Sequence, residues 1–199
     1  LNLAQNKILQ QEIRTKIAAR SHVLYENIEV VRELERFFES SVTKTAEPDS
    51  NDARQHCRQA DVLRDQGSLN EAVQRYQKAI AVDFDNAKAY NGLGNALKLK
   101  NKLAEALKCY QQAIRIDPNF AEAYYNWGNL ERIGGRFQAA IDKYHKAVCL
   151  RPDFAQAYCN MGIAQKAVGD FDNAVNNLQQ AIRLRPDLAE AHNNLGNVL

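Results

Sequence analysis

The chain has 199 residues, 45% of them apolar, and 26 Lys and Arg stand against 24 Asp and Glu for a formal net charge of +2. That is enough apolar material for a core, while so even a charge balance gives neither a nucleic-acid footprint nor a polybasic membrane patch. No apolar run approaches the roughly 20 residues that a membrane-spanning helix needs, and no secretory signal opens the chain.

In chain order, residues 1–42 predict a helical segment. Leu9, Ile13 and Ile17 share one helical face, and Val31, Leu34, Phe38 and Val42 mark a second amphipathic helix. Thr43 to Asp52 turns to Thr, Ala, Glu, Pro, Asp and Ser, the composition of a flexible linker.

From Ala53 the chain repeats with a period of 34, in units 53–86, 87–120, 121–154, 155–188 and a partial 189–199. Numbering each unit from its first residue, position one returns Ala53, Ala87, Ala121, Ala155 and Ala189. Position eight returns Gly94, Gly128, Gly162 and Gly196; position 20 returns Ala72, Ala106, Ala140 and Ala174. Such a period marks a solenoid of stacked units. The chain opens at Leu1 rather than Met and stops at Leu199 inside a helical pattern, which reads as a segment of something longer.

Each unit predicts two helices. In the third, Ala123, Trp127, Leu130 and Ile133 recur at helical spacing, and Gly134-Gly135 then supply the positive φ that a helix end favours. Phe137, Ala140, Ile141, Tyr144, Ala147 and Val148 line the second helix, which stops at Arg151-Pro152. Asn119 with Glu122, Asp153 with Gln156, Asp187 with Glu190 and Ser68 with Glu71 have capping-box spacing. The small residues at positions eight and 20 predict close helix approach. Tyr76, Tyr110, Tyr144 and Leu178 at position 24 predict the filling between helices.

This alternation of small and large residues resembles the tetratricopeptide repeat, over about three quarters of the chain. The resemblance implies an all-α fold, a right-handed α-α superhelix, here preceded by the helical N-terminal segment. It further implies that the first helix of each pair lines a concave groove. The first unit departs most, with Gln59 where its siblings carry Leu93, Trp127, Met161 and Leu195. Outside the repeat, Ile13-Arg14-Thr15-Lys16-Ile17 and Val31 to Phe38 are similar to the tail that closes the catalytic domain of O-linked N-acetylglucosamine transferases and their Spindly-like relatives. The order is unusual, since those enzymes commonly carry their repeats before the catalytic domain.

The groove is where function is expected. Position 12 reads Arg64, Lys98, Arg132 and Lys166, basic in every complete unit. Such a file can steer an acidic chain, or simply complement helix dipoles. Position six gives Asn126, Asn160 and Asn194, and position nine gives Asn95 and Asn129, with Asn197 in the partial unit. An amide ladder can hold a peptide backbone, as in the repeat arm of the transferases it resembles, or it can bond neighbouring helices. Position five reads Cys57, Asn91, Tyr125 and Cys159, without a cation, so the clamp that holds chaperone C-termini is not expected.

No catalytic constellation is present: the histidines fall only at 22, 56, 145 and 192 without metal-ligand spacing. No cofactor, metal or catalytic residue is expected. Cys57, Cys109, Cys149 and Cys159 lack CxxC spacing and read as reduced thiols of a cytoplasmic protein. Three functional readings follow. The chain is a scaffold for a protein or peptide ligand, without nucleic acid or membrane as partner. Alternatively it docks substrates for a larger O-linked glycosyltransferase. In the third reading the partial unit, with Leu195 and Val198 uncovered, joins it to another copy.

Overall fold

The computed structural model describes residues 50–198. The helical segment expected over 1–42, its transferase-like stretches, and residues 43–49 of the expected linker lie outside the described residues. Ser50 to Asp52, also expected in the linker, instead open the first helix, Ser50–Asp65. The physical reason is that a polar Ser-Asn-Asp run suits a helix N-terminus as well as a linker, and Asp52 in the first turn complements the dipole.

Among the described residues all regular structure is helical. Helices α1 (Ser50–Asp65) and α2 (Leu69–Val82) form the first unit, and α3 (Ala87–Leu99) and α4 (Leu103–Ile116) the second. Helices α5 (Ala121–Ile133) and α6 (Phe137–Leu150) form the third, α7 (Ala155–Ala167) and α8 (Phe171–Leu184) the fourth, and α9 (Ala189–Gly196) opens a fifth.

The hairpin turn depends on position 15, which holds Gly67, Asn101, Gly135 and Gly169 at φ of 81, 60, 72 and 84°. Asparagine is the side chain that best tolerates this left-handed conformation, which explains its exchange with glycine. Gly134 keeps an ordinary φ of −78°, so Gly135 alone of the pair meets the sequence expectation. Second helices end in extended residues, Asp83, Asp117, Arg151 and Arg185. Three of these precede a proline, which disfavours helical backbone there.

The expected capping boxes do not form. The N-cap residues of α5, α7 and α9 are Phe120, Phe154 and Leu188, and none makes a side-chain cap bond; nor does Ser68 at α2. The turn after each proline consumes one more residue than the boxes require, leaving Asn119, Asp153 and Asp187 outside the helix. Phe120, Phe154 and Leu188 pack into the core instead. A true cap is found at Asn86, whose side chain accepts from the Ala89 amide at 2.9 Å.

Packing follows the small-against-large rule. A Cβ built on Gly94 would lie 2.5 Å from the Tyr110 ring, one on Gly128 2.7 Å from the Tyr144 ring, and one on Gly162 2.8 Å from Leu178. In the second to fourth units hydrogen at position eight lets position 24 seat, whereas in the first, where position eight is Ala60, Tyr76 packs against Gly92 of the next unit. Tyr76, Tyr110, Tyr144 and Leu178 are accordingly among the largest fully buried side chains. Gly92 faces Tyr76 of the preceding unit just as tightly, which is why position six is glycine there rather than asparagine. Ile133, which shares helical spacing with Ala123, Trp127 and Leu130, is 55% exposed, whereas Leu130 is buried.

Candidate functional site

The first helices α3, α5, α7 and α9 touch in succession, whereas successive second helices stand further apart. A file whose members lie closer together occupies the inside of a curve, so the first helices form the inner face. The asparagines map this face. Asn126 Nδ2 donates to Asn91 Oδ1 at 2.9 Å, and Asn160 Nδ2 lies 3.2 Å from Tyr125 Oη. Each links position six to position five of the preceding unit. Where position five is Cys159, a weak acceptor, Asn194 instead donates to the Glu190 carbonyl on its own helix at 2.7 Å.

Position nine serves a different partner. Tyr76 Oη donates to Asp61 at 2.6 Å, Tyr110 Oη to Asn95 at 2.8 Å and Tyr144 Oη to Asn129 at 2.8 Å. Asn129 also accepts from Asn160 at 2.8 Å. A buried hydroxyl needs such an acceptor. The fourth unit replaces both members, with Ile163 and Leu178. Asn126, Asn129 and Asn160 are buried, so these amides are the floor of the inner face and spend bonds on the protein itself. The joint change of positions nine and 24, from Asp or Asn with Tyr to Ile163 with Leu178, is the sequence signal of this link.

The cations lie beside this floor, and their surroundings differ by unit. Arg64 bonds Asp61 and Asp65, both at 2.9 Å, and the Tyr76 hydroxyl at 3.0 Å. The corresponding neighbours of Lys98 are Asn95 and Leu99, those of Arg132 are Asn129 and Ile133, and those of Lys166 are Ile163 and Ala167. Among the described residues, Lys98, Arg132 and Lys166 form no ion pair. Burial, and then Arg64 nearby, hold the Lys98 ammonium below its usual range. The Arg132 Nε is buried without a hydrogen-bond partner. Glu131 is not a counter-charge for the file, because it is buried against Trp127 Nε1 at 2.7 Å and Arg136. Glu122 of the inner face is likewise engaged, by Arg151 at 2.6 Å.

Among the described residues no group of three His, Cys, Asp or Glu is placed to hold a metal, and no helix is long and apolar enough to cross a membrane. Burial pushes the Cys109 and Cys159 thiols up to about 12 and, with help from Asp61, Cys57 to about 11. Cys149 is exposed. Thiol titration of the folded protein near pH 8 is therefore expected to show one fast site, abolished by Cys149→Ser. The other three should react about 100-fold or more slowly until denaturant is added. Several fast thiols in the native protein would contradict the burial of Cys109 and Cys159.

Helix pairs stacked in file, with their first helices along the inner face, define a helical repeat solenoid. The chain belongs to the tetratricopeptide (TPR) repeat family, whose repeat matches residues 60–100, 94–130, 128–169 and 166–199. Among solved structures it is similar to YrrB, described as a TPR protein with an unusual peptide-binding site, at 26% identity over 78% of this chain and 80% of that one, TM-score 0.62. It is similar to the first TPR of Spaghetti bound to the HSP90 peptide SRMEEVD, at 25% identity over 58% of this chain and 92% of that one, TM-score 0.56. PilF of Pseudomonas aeruginosa, at 18% identity over 75% of this chain and 69% of that one with TM-score 0.71, shares the fold. No curated protein matches the chain in sequence.

Proposed function

We propose that the array binds an extended polypeptide along the inner face of its first helices. The observation that carries this reading is the file Lys98, Arg132 and Lys166, whose neighbouring carboxylates have been replaced by amides and apolar residues. A cation left without a counter-charge in a partly buried site favours an incoming anion. The peptide sites described for YrrB and Spaghetti support the same use of this fold. Asn95, Asn126, Asn129 and Asn160 then act mainly by fixing the spacing of the helices, Asn194 bonds its own helix, and Arg64 is held by its own carboxylates at one end.

Docking of substrates for a larger O-linked glycosyltransferase is the narrower form of this reading. Its support in the array is the asparagine columns alone, and three of those amides are buried in bonds within the protein. Self-association through the last unit has less support, because Leu195 and Val198 already pack against the cluster of Cys159, Leu178, Ala181 and Ala191.

Reversing charge at Lys98→Glu and Arg132→Glu together is expected to weaken binding of an Asp/Glu-rich peptide about tenfold or more at low salt. It should also flatten the salt dependence of the affinity. Fluorescence anisotropy with a labelled peptide measures both. Equal affinity of wild type and variant across salt would remove the basic file from the site.

A further inference from the structure

We propose that Asp61 and Asp65 close the first place in the basic file, so that the acidic stretch of a bound polypeptide spans the second to fourth units and stops short of the first. The inference rests on the inner-face reading above and adds the residues that decide where the charge of the ligand must end.

Arg64 and Arg132 hold the same position of the repeat and are in opposite states. Four hydrogen bonds leave the Arg64 guanidinium. Nε and Nη2 donate to Asp65 Oδ1 at 3.0 and 2.9 Å, and Nη1 donates to Asp61 Oδ1 at 2.9 Å and to the Tyr76 hydroxyl oxygen at 3.0 Å. A guanidinium has five N–H donors, so one is left for a ligand. Arg132 forms no ion pair among the described residues, and its Nε is buried without a hydrogen-bond partner. Two neighbours make the difference. Position nine is Asp61 in the first unit and Asn95, Asn129 and Ile163 in the others, while position 13 is Asp65 and then Leu99, Ile133 and Ala167. At these positions the first unit sets one cation against two carboxylates and is net negative, whereas each of the other three keeps a bare positive charge.

Neither carboxylate is required by the fold. Asp61 accepts from Tyr76 Oη at 2.6 Å, but Asn95 and Asn129 do the same for Tyr110 and Tyr144 at 2.8 Å. Asp65 is the last residue of α1, where a negative charge opposes the helix dipole. Its side chain is 71% exposed, and an ion pair so open to water adds little stability. What the two side chains do is supply Arg64 with an anion from its own helix. A ligand carboxylate has to displace Asp65 and then meets the like charge of Asp61. Arg64 still belongs to the file: after burial, its charge is what holds the Lys98 ammonium below the usual range. The closed place therefore neighbours the first open one, and a carboxylate at Lys98 is the last that the face accepts in that direction.

Asp61→Asn with Asp65→Ala gives the first unit residue types that its siblings carry. The probe is a labelled polyglutamate of about 30 residues, up to roughly 100 Å long when extended. Its uniform charge has no preferred register, so it uses every cation that is open. By fluorescence anisotropy on the full chain at low salt, the double variant is expected to bind it about fivefold or more tightly than wild type, with a steeper salt dependence. Arg64→Gln separates occupation of the cation from a general change in charge. It should cost at least about fivefold more affinity in the double-variant background than in wild type. Asp65→Ala alone leaves the Tyr76 bond intact and should give part of the gain, which keeps the test decisive if the double variant folds poorly. An equal cost of Arg64→Gln in both backgrounds, or no gain in either aspartate variant, overturns the closed first place and leaves inner-face binding standing. Failure of wild type and variants alike to bind polyglutamate at low salt removes the inner-face reading, and the closed place with it.

Discussion

Tyr144→Ala is expected to cost about 3–5 kcal/mol of unfolding free energy, measured by urea denaturation. The ring is fully buried and lies in the space that Gly128 leaves open. It also stands 5.9 Å from the Tyr125 ring, centre to centre. Truncation opens a cavity that rigid helix pairs cannot close. It also removes the donor to Asn129 Oδ1, though Asn160 still occupies that acceptor at 2.8 Å. Tyr144→Phe isolates the second loss and should cost only about 1 kcal/mol. Because a solenoid is stabilised unit by unit, hydrogen exchange should show protection lost first in α5 and α6. A cost under about 1 kcal/mol for the alanine variant would mean that position 24 does not hold the hairpin together.

The architecture was legible from the period because each unit repeats the same packing problem and solves it with the same residues. Gly128 and Tyr144 can be paired on paper: one column is small, another large, and both recur. The positive φ of Gly135 was legible for the same reason. Ile133 was not, since helical spacing places an apolar residue on a face without saying whether a neighbour covers it. The capping boxes of Asn119, Asp153 and Asp187 failed on one residue of register, because the turn after Pro118, Pro152 and Pro186 is longer than the box assumes, while Ser68 sits at the N-cap in register and still makes no side-chain bond. The asparagines were recognised as a ladder, but what each amide bonds depends on which atom of a neighbouring unit lies nearest. Asn160 finds Asn129 and Tyr125, whereas Asn194, opposite a thiol, turns back on its own helix.

Leu178→Tyr should cost about 2–3 kcal/mol, and Ile163→Asn introduced with it should restore about 1–2 kcal/mol of that. In the first three units the position-24 hydroxyl has an acceptor at position nine, at 2.6, 2.8 and 2.8 Å. In the fourth, Ile163 offers none, so a new hydroxyl would be buried unpaired, in a site where Gly162 and Leu178 already meet closely. Ile163→Asn alone should be mildly destabilising, because it gives up apolar contact with no hydroxyl to receive. The non-additive part of the double-mutant cycle is the strength of the link between the two positions. That number bears on function as well as on stability. A coupling of 1 kcal/mol or more ties the position-nine amides to the protein's own tyrosines and leaves Lys98, Arg132 and Lys166 to read the ligand. A coupling of zero frees Asn95 and Asn129 to hold a peptide backbone directly. In that case Asn129→Ala should weaken every bound peptide by the same factor, whatever its side-chain pattern.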